Sequence, residues 1–171
     1  MYRKRVAEDK NLKRIPGLGR YCATRCGLIR LPNGKFTRGT LNHKKDYYRI
    51  VVNGRKFLVH RLIARTFVKN PRPDIFDVVD HISRDSHDNH ADNLRYVNHQ
   101  LNSLNKTAHN ACWDNKMKQW RAYFTKNRKH TIIGYFKTFC EAHIAGKTAR
   151  QKHFDDLYKR LCDGEGRLTF I

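Results

Sequence analysis

Asp80 and His81 stand side by side, Asn93 follows after a polar stretch, and Asn102 comes shortly after that. A hard divalent cation such as magnesium takes oxygen ligands, commonly one or two from protein and the rest from water and substrate phosphate. Asp80 and Asn102 can supply those two. An imidazole titrates near about 6.5, so at neutral pH His81 is mostly an uncharged base able to take a proton from attacking water. One cation beside one imidazole is equipment for cutting a phosphodiester, the metal stabilising the scissile phosphate and the departing oxygen.

These residues need elements that hold them. Phe76, Val78 and Val79 make a short apolar run ending in Asp80, His81 and Ile82, which predicts a strand whose last residues leave the core and face a cleft. Residues 83–92 carry Ser86, Asn89, His87 and His90 among three aspartates, with little apolar content, so they read as a solvated loop. Within it Asp85 and Asp88 are expected to shape turns through local hydrogen bonds rather than to bind the cation. Leu94, Tyr96 and Val97 resume as a second short strand. Asn98 can cap a following helix that turns Leu101 and Leu104 inward and sets Asn102 beside Leu101.

The stretch resembles the HNH endonuclease family in its phage and intron homing branch, where Asp-His ends one strand and Asn stands in place of the last His. The resemblance implies a ββα-metal fold. It implies His81 as general base, Asp80 and Asn102 as ligands of Mg2+ or Mn2+, and Asn93 as the middle Asn whose amide braces the loop and orients the base. The segment Val59, His60, Arg61, Leu62, Ile63, Ala64, Arg65, Thr66 and Phe67 also resembles the helix preceding the motif in this branch, so the likeness covers residues 59–106. His60 sits among Leu58, Val59 and Leu62 and is expected to pack at that helix start. Its functional alternative is support of the metal site from behind the ligands.

Composition points to a polyanionic partner. The 171 residues hold 36 Lys plus Arg against 15 Asp plus Glu, a formal net charge of +21. Such a chain associates with nucleic acid, although phosphate contacts carry no sequence information. Asp74, Asp77, Asp80, Asp85, Asp88 and Asp92 gather around the proposed site, a local acidic patch that suits a cation. There is no run of about 18 apolar residues, and the basic N-terminus lacks an apolar stretch behind it. The expectation is a cytoplasmic, non-secreted protein with no membrane partner and no small-molecule substrate. The resemblance implies a phage-encoded chain working in a bacterial host. Five cysteines make no disulfide framework. Cys22 and Cys26 are half of a zinc site with His43 as a third candidate, but Cys112, Cys140 and Cys162 stand singly, so zinc is disfavoured and buried reduced thiols are expected.

The fold class expected is α+β, built as small modules in series: a basic β-rich region over 1–58, the HNH motif over 59–106, and a third module over 107–171. In the first, Leu28, Ile29 and Leu31 precede the turn at Pro32, Asn33 and Gly34. Later, Asn53-Gly54 between two apolar runs is a strong hairpin signal, with Arg55 and Lys56 as candidate DNA contacts or incidental scaffold charge. In the third, a strand over 111–118, a strand over 120–125, a turn over 127–130 and a strand over 131–136 precede a helix capped by Thr138 with Glu141 three residues on. Ala142, Ala145, Gly146 and Ala149 form a small-residue stripe on that helix, able to lie on Trp120, Ala122 and Phe124, while Arg121, Tyr123 and Thr125 face away. Residues 110–154 resemble the AP2 DNA-binding domain, a three-stranded sheet packed on one helix. That resemblance implies a sheet entering the major groove, with Arg121 reading guanine and Trp113 or Tyr123 packing on sugar and base edges. Lys118, Lys126, Arg128 and Lys129 add charge on the same strands and turns. The first strand lacks the arginines that plant members carry there.

The reading is a metal-dependent endonuclease acting on double-stranded DNA, and the resemblance implies products with 5′ phosphate and 3′ hydroxyl ends. The rival is a non-catalytic DNA- or RNA-binding regulator that keeps the fold. Oligomeric state, and with it nicking or double-strand cutting, is not written in the residues.

Overall fold

The computed structural model describes residues 12–42, 46–106, 108–126 and 129–164. The chain divides into two compact units, Met1–Asn98 and His99–Ile171. Among the described residues there are several small sheets and three α-helices, a mixed α and β architecture.

The first unit begins with four two-residue strands, β1 Lys13–Arg14, β2 Cys22–Ala23, β3 Ile29–Arg30 and β4 Phe36–Thr37, joined as an antiparallel meander. A second sheet holds β5 Thr40–Leu41, β6 Tyr48–Val52 and β7 Arg55–Leu58. The β6–β7 hairpin turns on Asn53 and Gly54, at φ 49° and 75°. Both are left-handed, the geometry that a two-residue turn with matching twist demands. Arg55 and Lys56 are exposed beside this turn.

From β7 the chain enters helix α1, Val59–Phe67, with no side-chain cap. Packing rather than capping holds it: Val59, Leu62, Ile63 and Ala64 are buried against Ile15, Ala23, Ile29, Ile50 and Val52. Each large side chain there contributes about 1.5–3 kcal/mol. Two further strands, β8 Val78–His81 and β9 Leu94–Val97, pair antiparallel in the register Val78↔Val97, Val79↔Tyr96, Asp80↔Arg95 and His81↔Leu94. Because side chains alternate along a strand, His81 shares a face with Val79, Tyr96 and Leu94, which pack on the core containing α1. Asp80 and Arg95 lie on the other face.

The second unit starts with α2, His99–Leu104, which carries Asn102. Strands β10 Ala111–Asp114, β11 Gln119–Lys126 and β12 Lys129–Phe136 form an antiparallel sheet in that order, and α3 spans Phe139–Cys162. β10 is shorter than the strand expected over 111–118. Asp114 Oδ1 accepts from the Lys116 and Met117 amides at 3.0 and 3.1 Å and closes a turn, and Lys118 then takes a φ of 52°. β12 begins at Lys129, inside the stretch expected to turn. The capping box expected at Thr138 is present: its hydroxyl accepts from the Glu141 amide and Glu141 Oε2 from the Thr138 amide. The small-residue stripe lets α3 lie close on the sheet, where Ala111, Ala122 and Ala142 are packed together. A Cβ on Gly146 would fall on the carbonyl oxygens of Asn110 and Tyr123. No described helix is long and apolar enough to cross a membrane.

Candidate active site

His81 ends β8 buried, and three groups of the first unit surround it. Its Nε2 lies 3.1 Å from Asn89 Oδ1. The His60 ring meets it edge-on at 5.0 Å between centroids, and the Tyr47 ring lies 6.1 Å away, 27° from parallel. Tyr47 also touches His60 at 5.0 Å. His60 reaches this position because it shares the inner face of α1 with Ile63 and Ala64. Its Nδ1 is buried with no hydrogen-bond partner among the described residues. Burial first, then the charges of His81 and Arg61, push its pKa from the ordinary range down to about 3, so it stays neutral.

Asp80 is buried on the opposite face of the strand. Arg95, its cross-strand partner, places Nε and Nη2 at 3.0 and 2.9 Å from Asp80 Oδ2. A carboxylate offers two oxygens and about four lone-pair directions, so the hard-oxygen character needed for a divalent cation is compatible with this ion pair.

The loop after β8 is tied by its own polar groups. Asn93 Oδ1 accepts from the Ser83 amide and its Nδ2 donates to the Asp88 carbonyl, each at 2.8 Å, so one carboxamide ties the start of the loop to its middle. Asp85 accepts from the His87 amide and Asp88 from the His90 amide, the local turns expected of them. A neighbouring turn steadies the far end. The Ala91 amide donates to the Arg25 carbonyl at 2.7 Å, and Arg25 pairs with Asp92. Gly27, at φ 88°, lies so close that a Cβ would come within 2.8 Å of the Asn89 backbone. Only glycine fits both that backbone and that approach.

The structure therefore gathers Asp80, His81, Asn93 and His60 in the first unit and places Asn102, half-buried, on α2 of the second. Sequence reasoning passed over Asn89, Tyr47 and Arg95. Asn89 looked like one polar loop residue among many. Arg95 was readable in principle, since a cross-strand partner of Asp80 follows once the strand register is known.

On the second unit's sheet, Arg121 pairs across the strands with Cys112 and Tyr135 on the face away from α3. Its guanidinium reaches Cys112 Sγ at 3.4 Å and Asp114 Oδ2 at 3.4 Å. Tyr123 packs edge-on against His130. Trp113 alternates to the helix side, where its ring meets Trp120 at 5.5 Å, and it remains largely exposed. Lys118, Lys126 and Lys129 are exposed, and Arg128 lies outside the described residues. In the first unit Cys22 is buried and Cys26 exposed, and His43 lies outside the described residues.

No family model matches the chain. Over 39 residues it is 54% identical to an uncharacterized HNH endonuclease of Acanthamoeba polyphaga mimivirus. The chain is similar to HNH endonucleases. That HNH match covers 23% of this chain and spans about a tenth (10%) of the length of the mimivirus protein. Among solved structures, one of the HNH homing endonuclease I-HmuI, described by its DNA binding and cleavage, covers 56% of each chain at 28% identity and a TM-score of 0.47.

Proposed function

We propose that the protein is a metal-dependent endonuclease that hydrolyses phosphodiester bonds in double-stranded DNA, with His81 as general base. The observation that carries the reading is the setting of His81: a buried imidazole at a strand end, oriented by Asn89 and two rings, adjacent to a buried carboxylate. The HNH similarity over 39 residues supports it.

The Asn89 carboxamide oxygen accepts, so Nε2 of the neutral His81 ring carries the hydrogen and Nδ1 carries the lone pair. A water attacks phosphorus and gives its proton to His81 Nδ1 while the bond to the 3′ oxygen breaks and that oxygen takes a proton from solvent water, leaving 5′ phosphate and 3′ hydroxyl ends. His60 is neutral and adds no charge that would oppose protonation of His81. A divalent cation, when bound, supplies positive charge at the scissile phosphate and the departing oxygen. Asp80 is the ligand argued from its geometry, its carboxylate fixed by Arg95, and Asn102 enters from the sequence resemblance alone. We assign DNA holding to the exposed cations of the second unit, with an AP2-like use of the Arg121 and Tyr123 sheet face.

The test is supercoiled plasmid incubated with wild type and His81→Ala, each with magnesium and with chelator, and resolved on a gel. Metal-dependent relaxed or linear product from wild type alone supports the nuclease. Binding without product across metals and DNA substrates would leave a nucleic-acid-binding regulator instead.

A further inference from the structure

The second unit contains a cleft of about 430 Å³ with no counterpart in the proposed catalytic chemistry. Lys106, Lys126, Arg150, His109 and His153 line it, and none of its lining residues is a carboxylate. That sets it apart from the other two clefts described: one carries Asp85 and Asp88, the other Asp155 and Asp156. A concavity lined by one sign of charge concentrates counter-ions of the opposite sign.

Its inner wall is fixed. Arg150 is buried and donates to the Lys106 carbonyl, which ties α3 to the segment after α2. His153 packs on Phe124 at 5.3 Å, and its Nε2 is buried with no hydrogen-bond partner among the described residues. Asn110 Oδ1, also lining the cleft, is in the same condition. Buried polar atoms in folded proteins nearly always have partners; an imidazole N–H is a donor that an oxyanion satisfies, whereas the Asn110 oxygen accepts and is suited to a water or an N–H group. Lys106 and Lys126 are exposed, which leaves their ammonium groups able to reach an oxyanion seated above His153.

We infer that this cleft binds a phosphate group, with Lys106 and Lys126 pairing its charge and His153 Nε2–H donating to one oxygen, and that the phosphate belongs to a DNA backbone. The DNA source rests on the proposed function; the phosphate chemistry does not. The contact is separate from the scissile phosphate and from the Arg121 face of the sheet, and it adds affinity to any sequence alike.

Two measurements on the full chain test it. Inorganic phosphate is titrated while the histidine ring signals are followed by NMR, and duplex binding is measured across a series of KCl concentrations, for wild type and Lys106→Ala. Lys106 is exposed and only its carbonyl is used by Arg150, so the variant keeps its fold. The expected result is a phosphate-dependent shift of His153 that Lys106→Ala weakens. For DNA, the variant should bind several-fold more weakly at about 0.1 M salt and lose about 0.9 from the slope of log affinity against log salt, equally for all sequences. A His153 shift with unchanged duplex slopes would assign the cleft to free phosphate and overturn the DNA source. A His153 shift in a protein that binds no duplex would sink the endonuclease reading while the phosphate site stands. An unmoved His153 together with equal slopes overturns the inference.

Discussion

Asp80 and His81 are 7% and 6% exposed, whereas Tyr135 and Ile132, on the face of the second unit's sheet away from α3, are 37% and 51% exposed. The first unit hides Asp80 and His81 behind a carboxamide, two rings and a guanidinium. The second shows solvent a surface of aromatic and aliphatic groups edged with lysines. The difference follows from what each proposed task requires. A base must keep one nitrogen aimed at one proton, and fixed neighbours in a poorly solvated site hold it there. Attraction of a polyanion needs cations at the surface, where ionic strength governs their strength.

On that contrast, damage to the first unit should abolish chemistry and spare adhesion. His81→Ala has the largest effect: plasmid cleavage falls about 10²–10⁴-fold, while retention on DNA at low salt, read by gel shift, is unchanged. Equal loss of both would merge the two roles. Arg95→Met comes next. It leaves the buried Asp80 carboxylate without its guanidinium and should cost about 3 kcal/mol, read as a lowered urea midpoint of the full chain. A midpoint that does not move would mean the ion pair carries no stability. On the second unit, Arg121→Ala should weaken specific duplex binding by about 1–3 kcal/mol and relax base preference. Unaltered preference among competing duplexes would remove Arg121 from base reading.

The smallest effect is the pH dependence that His60 of the first unit contributes. His60 is held neutral with its pKa at about 3, so near an unfolded value of about 6.5 the unfolded chain takes up a proton that the folded site refuses. Stability therefore falls as pH drops below about 6.5 toward 3, by up to about 1.4 kcal/mol per unit. His60→Phe should flatten that contribution, and urea midpoints of both proteins at pH 7 and pH 5 compare the slopes. Parallel slopes would show that His60 is not buried neutral.

Much of the fold was legible because it rests on local signals. Val78 and Val79 before Asp80, and Leu94, Tyr96 and Val97, are apolar runs of strand length, and both strands lie where they were expected. The Asn53-Gly54 turn and the Thr138–Glu141 capping box depend on backbone conformation and hydrogen bonds within a few residues, so residue type alone predicts them. The overestimate of β10 has the same origin in reverse: residues 111–118 alternate plausibly, but the Asp114 carboxylate captures two amides and ends the strand. Trp113 shows a further limit. The AP2 resemblance implied a DNA-facing ring, and only the pairing Trp113↔Trp120 revealed that it lies on the helix side.

By itself, then, the sequence determined the basic charge, the element order and the residue types of the proposed hydrolytic site: Asp80, His81, Asn93 and Asn102. The tertiary structure decided what surrounds them. Asn89 against His81, the His60 and Tyr47 rings, Arg95 on Asp80 and the carboxylate-free cleft at His153 all join residues from separate elements. No spacing rule reports such contacts, because they arise from strand register and from which helix face meets the core, and both are set by packing of the whole unit.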